Sequence, residues 1–302
     1  MSGHSKWATI KRKKGAADAK RGALFTKLAR QITIAAREGG DPEYNFKLRL
    51  AVDQAKANAM PRDNIERAVR RGSGADKDTD LEELLYEGYG PHGIALLLQI
   101  VTDNRNRTVG DVRRLFTRAN GNLSEAGSVA WQFEARGHIV IETQKLAEDK
   151  LFEIALEAGA DDIQFADGEA DIYTNPGDLQ LVREALTKQH LHITVFELIM
   201  VPKTTLAIEP FDAVQVMHLM ENLEELDDVT KVYSNLEVTD EALAAMEEEG
   251  RSESGERRAE SGEAEKRRSG EAEKRRSGEA EKRRSGEAEK RRSGRTPFFH
   301  ET

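Results

Sequence analysis

The sequence predicts an α+β fold with an N-terminal helical head, two small α/β sandwich domains and a disordered C-terminal tail. Three observations lead to this fold class. Apolar residues recur at helical spacing before residue 72, strand-like and helix-like segments alternate from there to about residue 240, and a polar octapeptide is repeated near the C-terminus. The 302 residues leave room for two or three domains.

The head begins with a basic arm, residues 1–17, that has no sustained apolar period. Trp7 in this arm is either a platform for stacking a nucleic-acid base or, in the interpretation we favour, an anchor on the head's own core.

The first helix is expected over residues 18–37. It places a basic arc beside its apolar arc, so that the cations can face a phosphate backbone while the helix packs on its neighbours. The apolar arc consists of Leu24, Phe25, Leu28, Ile32 and Ala35, and the basic arc of Lys20, Lys27, Arg30 and Arg37.

Two more helices complete the head. The second is expected over residues 42–60, capped by Asp41 and with Phe46 and Leu50 pointing inward. The third is expected over residues 61–71 and ends at a glycine.

The body follows a linker rich in glycine and aspartate, residues 72–80. Strands are expected at residues 94–101, 128–134, 138–142, 163–165, 172–174, 192–201 and 231–238, and helices at 108–121, 149–158, 178–188 and 212–223. Alternation in the second of these strands predicts Trp131 and Phe133 on one face, and Thr108 is the expected cap of the first helix. This order is typical of split βαβ sandwiches, with helices on one face of an antiparallel sheet.

The tail contains SGEAEKRR four times, starting at Ser261, Ser269, Ser277 and Ser285. Because the repeat has no aliphatic residue larger than alanine, it cannot bury a core, and we expect a disordered or transiently helical segment.

Charge is sorted along the chain, whose net charge is −9. Residues 1–71 carry 17 Lys/Arg and 7 Asp/Glu, whereas residues 135–250 carry 7 and 26. Solubility requires net charge but no sorting, so a basic head on an acidic body favours nucleic acid as a partner of the head. The alternative is a head that docks on the protein's own acidic body.

Several kinds of chemistry are not expected. The chain has no cysteine, which excludes disulfides, thiolate metal sites and a cysteine nucleophile. Residues 88–93 (GYGPHG) have the spacing of a dinucleotide fingerprint, but Pro91 interrupts them and a strand follows, so we expect a tight turn between strands. The seven histidines lack metal-binding spacing, and no hydrolase or nucleotide motif appears. We therefore expect no enzymatic activity, cofactor, metal or small-molecule substrate.

A soluble cytoplasmic protein, monomeric and without membrane association, is the expected form. No apolar run reaches the roughly 18 residues that span a bilayer, and the N-terminus lacks the apolar region of a secretory signal.

Motifs spread over residues 1–240 resemble those of the YebC family. They are Gly3-His-Ser-Lys-Trp7, Lys20-Arg-Gly-Ala-Leu-Phe-Thr-Lys27, Met60-Pro-Arg-Asp-Asn-Ile-Glu-Arg67, Tyr86-Glu-Gly-Tyr-Gly-Pro91, Thr102-Asp-Asn-Arg-Asn-Arg-Thr108, Gly127-Ser-Val-Ala-Trp131, Asp228-Val and Val232-Tyr-Ser-Asn235. The resemblance implies a head at 1–75, a discontinuous second α+β domain at 76–134 plus 205–240, and an acidic α/β domain at 135–204 inserted into it. The low-complexity tail, 241–302, departs from the family.

The resemblance also implies a function. Family members are usually described as probable transcriptional regulators that bind promoter DNA. Other relatives, including the mitochondrial activator of cytochrome oxidase translation, act on the ribosome and relieve stalling at sequences such as proline runs. A non-enzymatic regulator that binds DNA through its basic head is therefore the first hypothesis, and a ribosome-associated factor that binds ribosomal RNA is the second.

The residues themselves leave the nucleic acid open. None of the head helices carries a clear cluster of base-reading side chains in its first turn; Arg62, Asp63 and Asn64 come closest. Recognition of structured RNA by shape and phosphate thus fits at least as well as base-specific reading. A third hypothesis is a protein-interaction module whose acidic inserted domain binds a basic partner, such as a ribosomal protein. The candidate nucleic-acid-binding residues are Lys6, Lys11, Arg12, Lys13, Lys14, Lys20, Arg21, Lys27, Arg30 and Arg62.

Overall fold

Three helices form the head in the computed structural model, which describes residues 18–74, 81–143, 147–166 and 168–249. They are α1 (Asp18–Ala35, followed by a 3-10 turn at Ala36–Glu38), α2 (Phe46–Ala57) and α3 (Arg62–Gly72). The chain divides into two units at Leu243, and the sheets and sites described below lie in the first unit. Leu28 and Ile32 of the predicted apolar arc are buried in the head core, whereas Leu24 stays 36% exposed.

The helices α1 and α3 approach closely at Gly72. A Cβ atom at this position would overlap the carbonyl oxygen of Thr33 and lie 2.7 Å from Ala36 Cβ. The contact between the two helices therefore requires a residue without a side chain at this point.

Asn45, rather than Asp41, starts the second helix. Its side chain accepts a hydrogen bond from Leu48 N (3.0 Å) and donates to the carbonyl oxygens of Ala35 (2.7 Å) and Gly39 (2.8 Å). The prediction of a helix from Pro42 was wrong, because one buried amide both caps α2 and satisfies carbonyl groups at the end of the preceding helical segment.

Phe46 and Leu50 do not point into the head core, contrary to prediction. They pack against the apolar cluster of the second sheet of the body, whose members include Leu179 and Val182. The opposite side of α2 packs in the head core through residues such as Leu48. Thus α2 contributes to two cores at once.

The described body contains two antiparallel sheets and four helices between residues 82 and 234. The first sheet has the order β3-β1-β2-β8, with β1 at Glu82–Tyr89, β2 at Ala95–Thr102, β3 at Asn122–Ser124 and β8 at Val229–Ser234. The second has the order β5-β6-β4-β7, with β4 at Phe133–Glu142, β5 at Asp162–Ala166, β6 at Glu169–Thr174 and β7 at Ile193–Pro202. The helices α4 (Arg105–Arg118) and α7 (Pro210–Glu225) pack on the first sheet, and α5 (Glu148–Glu157) and α6 (Leu179–Lys188) on the second. The predicted α+β class is confirmed.

The chain leaves the first sheet after β3, builds the second sheet and returns to the first sheet through β8. This strand order supports our proposal that a domain at 135–204 is inserted into one formed by 76–134 plus 205–240. Of the predicted tail, residues 241–249 continue a helix that begins at residue 240, and residues 250–302 lie outside the described residues.

The predicted strand at residues 128–134 was wrong. A 3-10 turn occupies Ala130–Gln132, and Phe133 already belongs to β4. Trp131 is 67% exposed while Phe133 is buried, so the two do not share a face. The carboxylate of Glu87 holds this turn by accepting hydrogen bonds from backbone nitrogens, among them Val129 N (2.7 Å).

Two smaller expectations concern turns. The helix α4 begins three residues before Thr108, because the side chain of Asn104 caps it by accepting from Arg107 N (3.1 Å). The tight turn expected at residues 88–93 is confirmed: a 3-10 turn at Pro91–Gly93 joins the antiparallel strands β1 and β2.

A buried polar network lies where the two sheets meet. His138 Nε2 of β4 is 2.7 Å from Asp171 Oδ1 of β6, and Lys231 Nζ of β8 is 2.6 Å from Glu197 Oε2 of β7. Burial lowers the pKa of His138, but the two carboxylates Asp171 and Glu197 outweigh it and leave that pKa above its ordinary value. Burial raises the pKa of Tyr233, beside Lys231, to about 12.

Candidate nucleic-acid interface

The ten predicted nucleic-acid-binding residues have three different placements. Lys6, Lys11, Arg12, Lys13 and Lys14 lie outside the described residues, as does the side chain of Lys20 in α1. Arg21 and Arg62 are exposed on α1 and α3, and Arg62 Nε donates to Glu66 Oε1 one turn further on (2.7 Å). Lys27 and Arg30 are directed toward the body.

The predicted basic arc contacts the body through Lys27 and Arg30 of α1 and through Arg37 of the 3-10 turn that follows α1. Lys27 Nζ donates to the carbonyl oxygen of Glu224 in α7, and Arg30 NH1 donates to that of Asp227 (2.7 Å). Arg37 NH1 donates to the carbonyl oxygen of Leu81 (2.6 Å). For these side chains the structure shows the alternative in which the basic helix docks on the protein's own body. Their contact with phosphate stays a prediction.

Asp228, directly before β8, joins the head to the body. Its Oδ1 accepts from Arg30 NH1 of α1 (2.7 Å), and its Oδ2 accepts from Arg107 NH2 (2.9 Å) and Thr108 Oγ1 (2.7 Å) of α4. Burial raises the pKa of this carboxyl, but the hydrogen bonds from Arg107 and Thr108 and the charge of Arg30 outweigh burial and leave the pKa below its ordinary value. A carboxylate that stays charged thus holds α1 and α4 together.

A cationic cleft of about 460 Å³ lies between α1, α3 and the start of the body. Arg30 lines it from α1, and Asn64, Arg67 and Arg71 line it from α3. The last three are spaced three and four residues apart, so they share one face of the helix. Arg67 and Arg71 are exposed and have no ion pair within the part of the chain that the structure describes.

The lining of the cleft is suited to phosphate. Guanidinium groups present parallel N–H donors that match two phosphate oxygens, and Arg67 and Arg71 have these donors available. Phe25 is the one aromatic side chain in the lining, and it packs against the head core. The cleft can therefore position a nucleic-acid backbone better than it can stack bases.

Arg67 and Arg71 were not among the predicted site residues. Part of their signal was present in the sequence, because Ile65 and Ala68 mark the buried face of α3 and the two arginines recur four residues apart on its exposed side. Among the exposed arginines of this helix, Arg62 was the predicted contact, and its side chain is paired with Glu66.

Other kinds of site find no support in the described ranges. No group of three or more His, Asp or Glu side chains there is arranged to hold a metal ion. Among the described helices, none combines the length and the apolar character needed to cross a membrane.

Two regions of the chain match known family descriptions. Residues 5–75 match the family described as the TACO1/YebC protein N-terminal domain, and residues 81–236 match the TACO1/YebC second and third domain. A conserved hypothetical protein from Aquifex aeolicus has a similar crystal structure, with a TM-score of 0.69 and 42% identity over 74% of this chain and 93% of that chain.

Curated relatives align over their whole length or nearly so. A protein of Geobacter sulfurreducens is 50% identical over 247 residues, which cover 82% of this chain and 100% of the relative. A protein of Roseiflexus castenholzii is 53% identical over 247 residues, covering 80% and 97%. Both bear the name probable transcriptional regulatory protein. With both family regions matched and relatives aligned at this identity, the chain belongs to the TACO1/YebC family.

Proposed function

We propose that the protein is a non-enzymatic regulator of gene expression, acting in the cytoplasm, that binds DNA through its basic head. The observation that carries this proposal is the cleft in which Arg67 and Arg71 are exposed without an ion pair among the described residues. The names of the curated relatives support a role in regulating transcription.

The basic arm and the cleft would act together on one phosphate backbone. The arm contributes Lys11, Arg12, Lys13 and Lys14 at its most basic stretch, and α3 contributes Arg67 and Arg71. Each phosphate that a cation neutralises releases a counterion, so affinity falls with salt. Five duplex phosphate contacts would give a slope of log K against log salt of about −4.5, and five single-strand contacts about −3.5.

Ribosomal RNA is the second candidate partner. Arg62 is paired with Glu66, so the first turn of α3 lacks a row of unpaired side chains for reading base edges. Recognition through phosphates and shape suits structured RNA. In the third hypothesis, the acidic inserted domain binds a basic protein and the head only positions it.

A binding titration tests the role of the cleft. Fluorescence anisotropy with labelled DNA duplex, RNA duplex and single strands, at several salt concentrations, gives the slope for the full chain and for Arg67→Gln/Arg71→Gln. We expect weaker binding and a slope less negative by about 1.8, because two duplex phosphate contacts are lost. Lys150→Gln/Lys188→Gln removes the same charge from exposed positions of the inserted domain and serves as the control. Equal effects of the two double variants would contradict a specific role for the cleft.

Ultraviolet crosslinking in growing cells identifies the physiological partner. Enrichment of particular promoters with ribosomal RNA at background would support the transcriptional regulator. Discrete ribosomal RNA positions would support the translation factor instead. Association that survives alanine substitutions in both arm and cleft would favour the protein-interaction module.

A further inference from the structure

The helix α4 is a basic element within an acidic part of the chain. Residues 72–134 contain six Lys/Arg and ten Asp/Glu. Five of those six basic residues are arginines on α4, whereas Asp111 is the one acidic residue on it. Solvated helices commonly mix charges of both signs, so this concentration of one sign needs a separate explanation.

The arginines of α4 are exposed, and only two of the five are paired within the described residues. Arg107 contacts Asp103 (2.6 Å) and Asp228, and Arg114 contacts Asp111 (3.2 Å). The other three, Arg105, Arg113 and Arg118, have no ion pair in the described ranges.

The exposed side of α4 forms a shallow cationic face. Val112 and Phe116 are buried against the first sheet, which directs the opposite side of the helix to solvent. At 100° per residue, the positions of Arg107, Arg114 and Arg118 fall within about 40° of one another and span about 16 Å along the axis. These three arginines form one edge of the face, and Arg113 lies on its opposite edge, about 120° around the helix from Arg107. A Cβ at Gly110, between the two edges, would meet no atom within 4 Å.

This face is continuous with the cleft of the head. Arg30 of the cleft and Arg107 of α4 bind the same carboxylate, Asp228. Asp103, which precedes α4, also lines the cleft. Arg30 of the head and Arg107 of α4 therefore lie side by side where the cleft meets the exposed face of α4.

We propose that the exposed arginine face of α4 binds the phosphate backbone of a nucleic-acid double helix and extends the site of the head onto the second domain. This inference rests on the proposed function and deepens it by naming a duplex as the ligand class.

Three observations favour a duplex over other anionic partners. The one aromatic side chain of α4, Phe116, is fully buried, so the helix offers no platform for the bases of a single strand. The exposed face has no large apolar side chain that could anchor an acidic protein. Arginine forks on a span of about 16 Å can reach several phosphates, because a duplex carries one charge per roughly 1.7 Å of its axis.

The test compares salt slopes for three double variants of the full chain, which are Arg113→Gln/Arg118→Gln, Arg67→Gln/Arg71→Gln and the control Lys150→Gln/Lys188→Gln. The probes are a DNA duplex and an RNA duplex of the same sequence. Arg113→Gln/Arg118→Gln is expected to weaken binding and to make the slope less negative by up to about 1.8, while Lys150→Gln/Lys188→Gln has little effect. The probe that shows the larger change identifies the duplex as DNA or RNA. Thermal unfolding checks that the variants remain folded.

A variant that makes the face of α4 more positive provides a second test if the arginine variant unfolds. Asp111→Asn removes the one carboxylate of α4 and frees Arg114, so it is expected to strengthen duplex binding and to steepen the slope. No change with Asp111→Asn would count against the proposal.

Failure of this inference and failure of the proposed function are distinguishable. If Arg67→Gln/Arg71→Gln flattens the slope and Arg113→Gln/Arg118→Gln does not, the α4 proposal is overturned and the head remains the site. If the unsubstituted protein binds neither duplex, the proposed function itself fails. If polyglutamate binds through Arg113 and Arg118 while duplexes do not, the face is a protein-binding surface and the proposal is overturned.

Discussion

Two buried carboxylates, those of Asp228 and Glu87, each bind several hydrogen-bond donors and fix their positions. Asp228 neutralises part of the charge of Arg30 and Arg107 and fixes their positions, while Arg67 and Arg71 have no ion pair among the described residues and are available for the partner proposed above. The carboxylate of Glu87 fixes a backbone turn instead of side chains, since it accepts hydrogen bonds from the backbone nitrogens of Gly127, Val129 and Ala130 at 2.6–2.7 Å. Buried anions with several donors hold loops and domains in place.

Replacing Asp228 tests its role as the link between head and body. Asp228→Asn is expected to lower the free energy of unfolding by about 1–3 kcal/mol, because hydrogen bonds from charged donors are lost in a mostly buried place. Urea denaturation measures this change. Asp227→Asn makes the same charge change at an exposed neighbour and should stay within about 0.5 kcal/mol.

The same carboxylate predicts a pH dependence. Since folding lowers its pKa, its contribution to stability is present above the unfolded pKa near 3.8 and is lost as the pH falls through the folded value. The stability of Asp228→Asn should therefore fall less between pH 5 and 3 than that of the unsubstituted protein. Parallel curves would contradict this assignment.

His138 predicts a loss of stability on the alkaline side. Asp171 of β6 and Glu197 of β7 face its ring, Tyr173 stacks on it, and Lys231 of β8 binds Glu197. Because folding raises the His138 pKa above 6.5, the folded state holds a proton that the unfolded state releases. This contribution is complete below pH 6.5 and declines as the pH rises through the folded pKa, by at most about 1.4 kcal/mol per pH unit. Urea denaturation from pH 5 to 9 should show the decline, and His138→Gln should remove it.

At the scale of elements, the close packing of α1 on α3 depends on a missing side chain. Gly72→Ala should destabilise the head by about 1–3 kcal/mol, because the new methyl group would overlap the Thr33 carbonyl and force the helices apart. Thermal unfolding followed by circular dichroism measures the effect. Gly22→Ala is the matched control, since a Cβ there meets no atom within 4 Å and alanine favours the exposed helix. Equal changes would show that the contact is looser than described.

The sequence predicted most elements but misplaced those whose ends depend on distant contacts. Apolar periodicity located β2, α5 and β7 to within one residue. The start of α2 was missed because Asn45 is held by carbonyl groups six and ten residues away, which no local rule includes. The turn around Trp131 was taken for a strand because Glu87, about 40 residues earlier, sets its shape.

At the scale of the whole molecule, the distribution of charge along the sequence predicted a basic head. It did not show which Lys and Arg side chains remain without a partner in the protein. Lys27 and Arg30 of the head bind groups of the acidic body that lie nearly 200 residues away in the sequence. Such contacts depend on tertiary packing, so periodicity and composition cannot identify them. Helical spacing places Arg67 and Arg71 on the exposed side of α3, but only the structure shows that they have no ion pair among the described residues.

Because α2 packs in the head core and against the second sheet, the domain that contains this sheet cannot be exchanged independently of the head. An inserted domain bounded by neighbouring strands can in principle be swapped as a cassette between related chains. Here Phe46 and Leu50 lie in the head sequence yet complete the apolar surface of the second sheet. A chimera that receives a foreign inserted domain would also need an α2 whose side chains fit that domain. The segments that must be exchanged together are therefore α2 and the second sheet, which begins about 80 residues later in the chain.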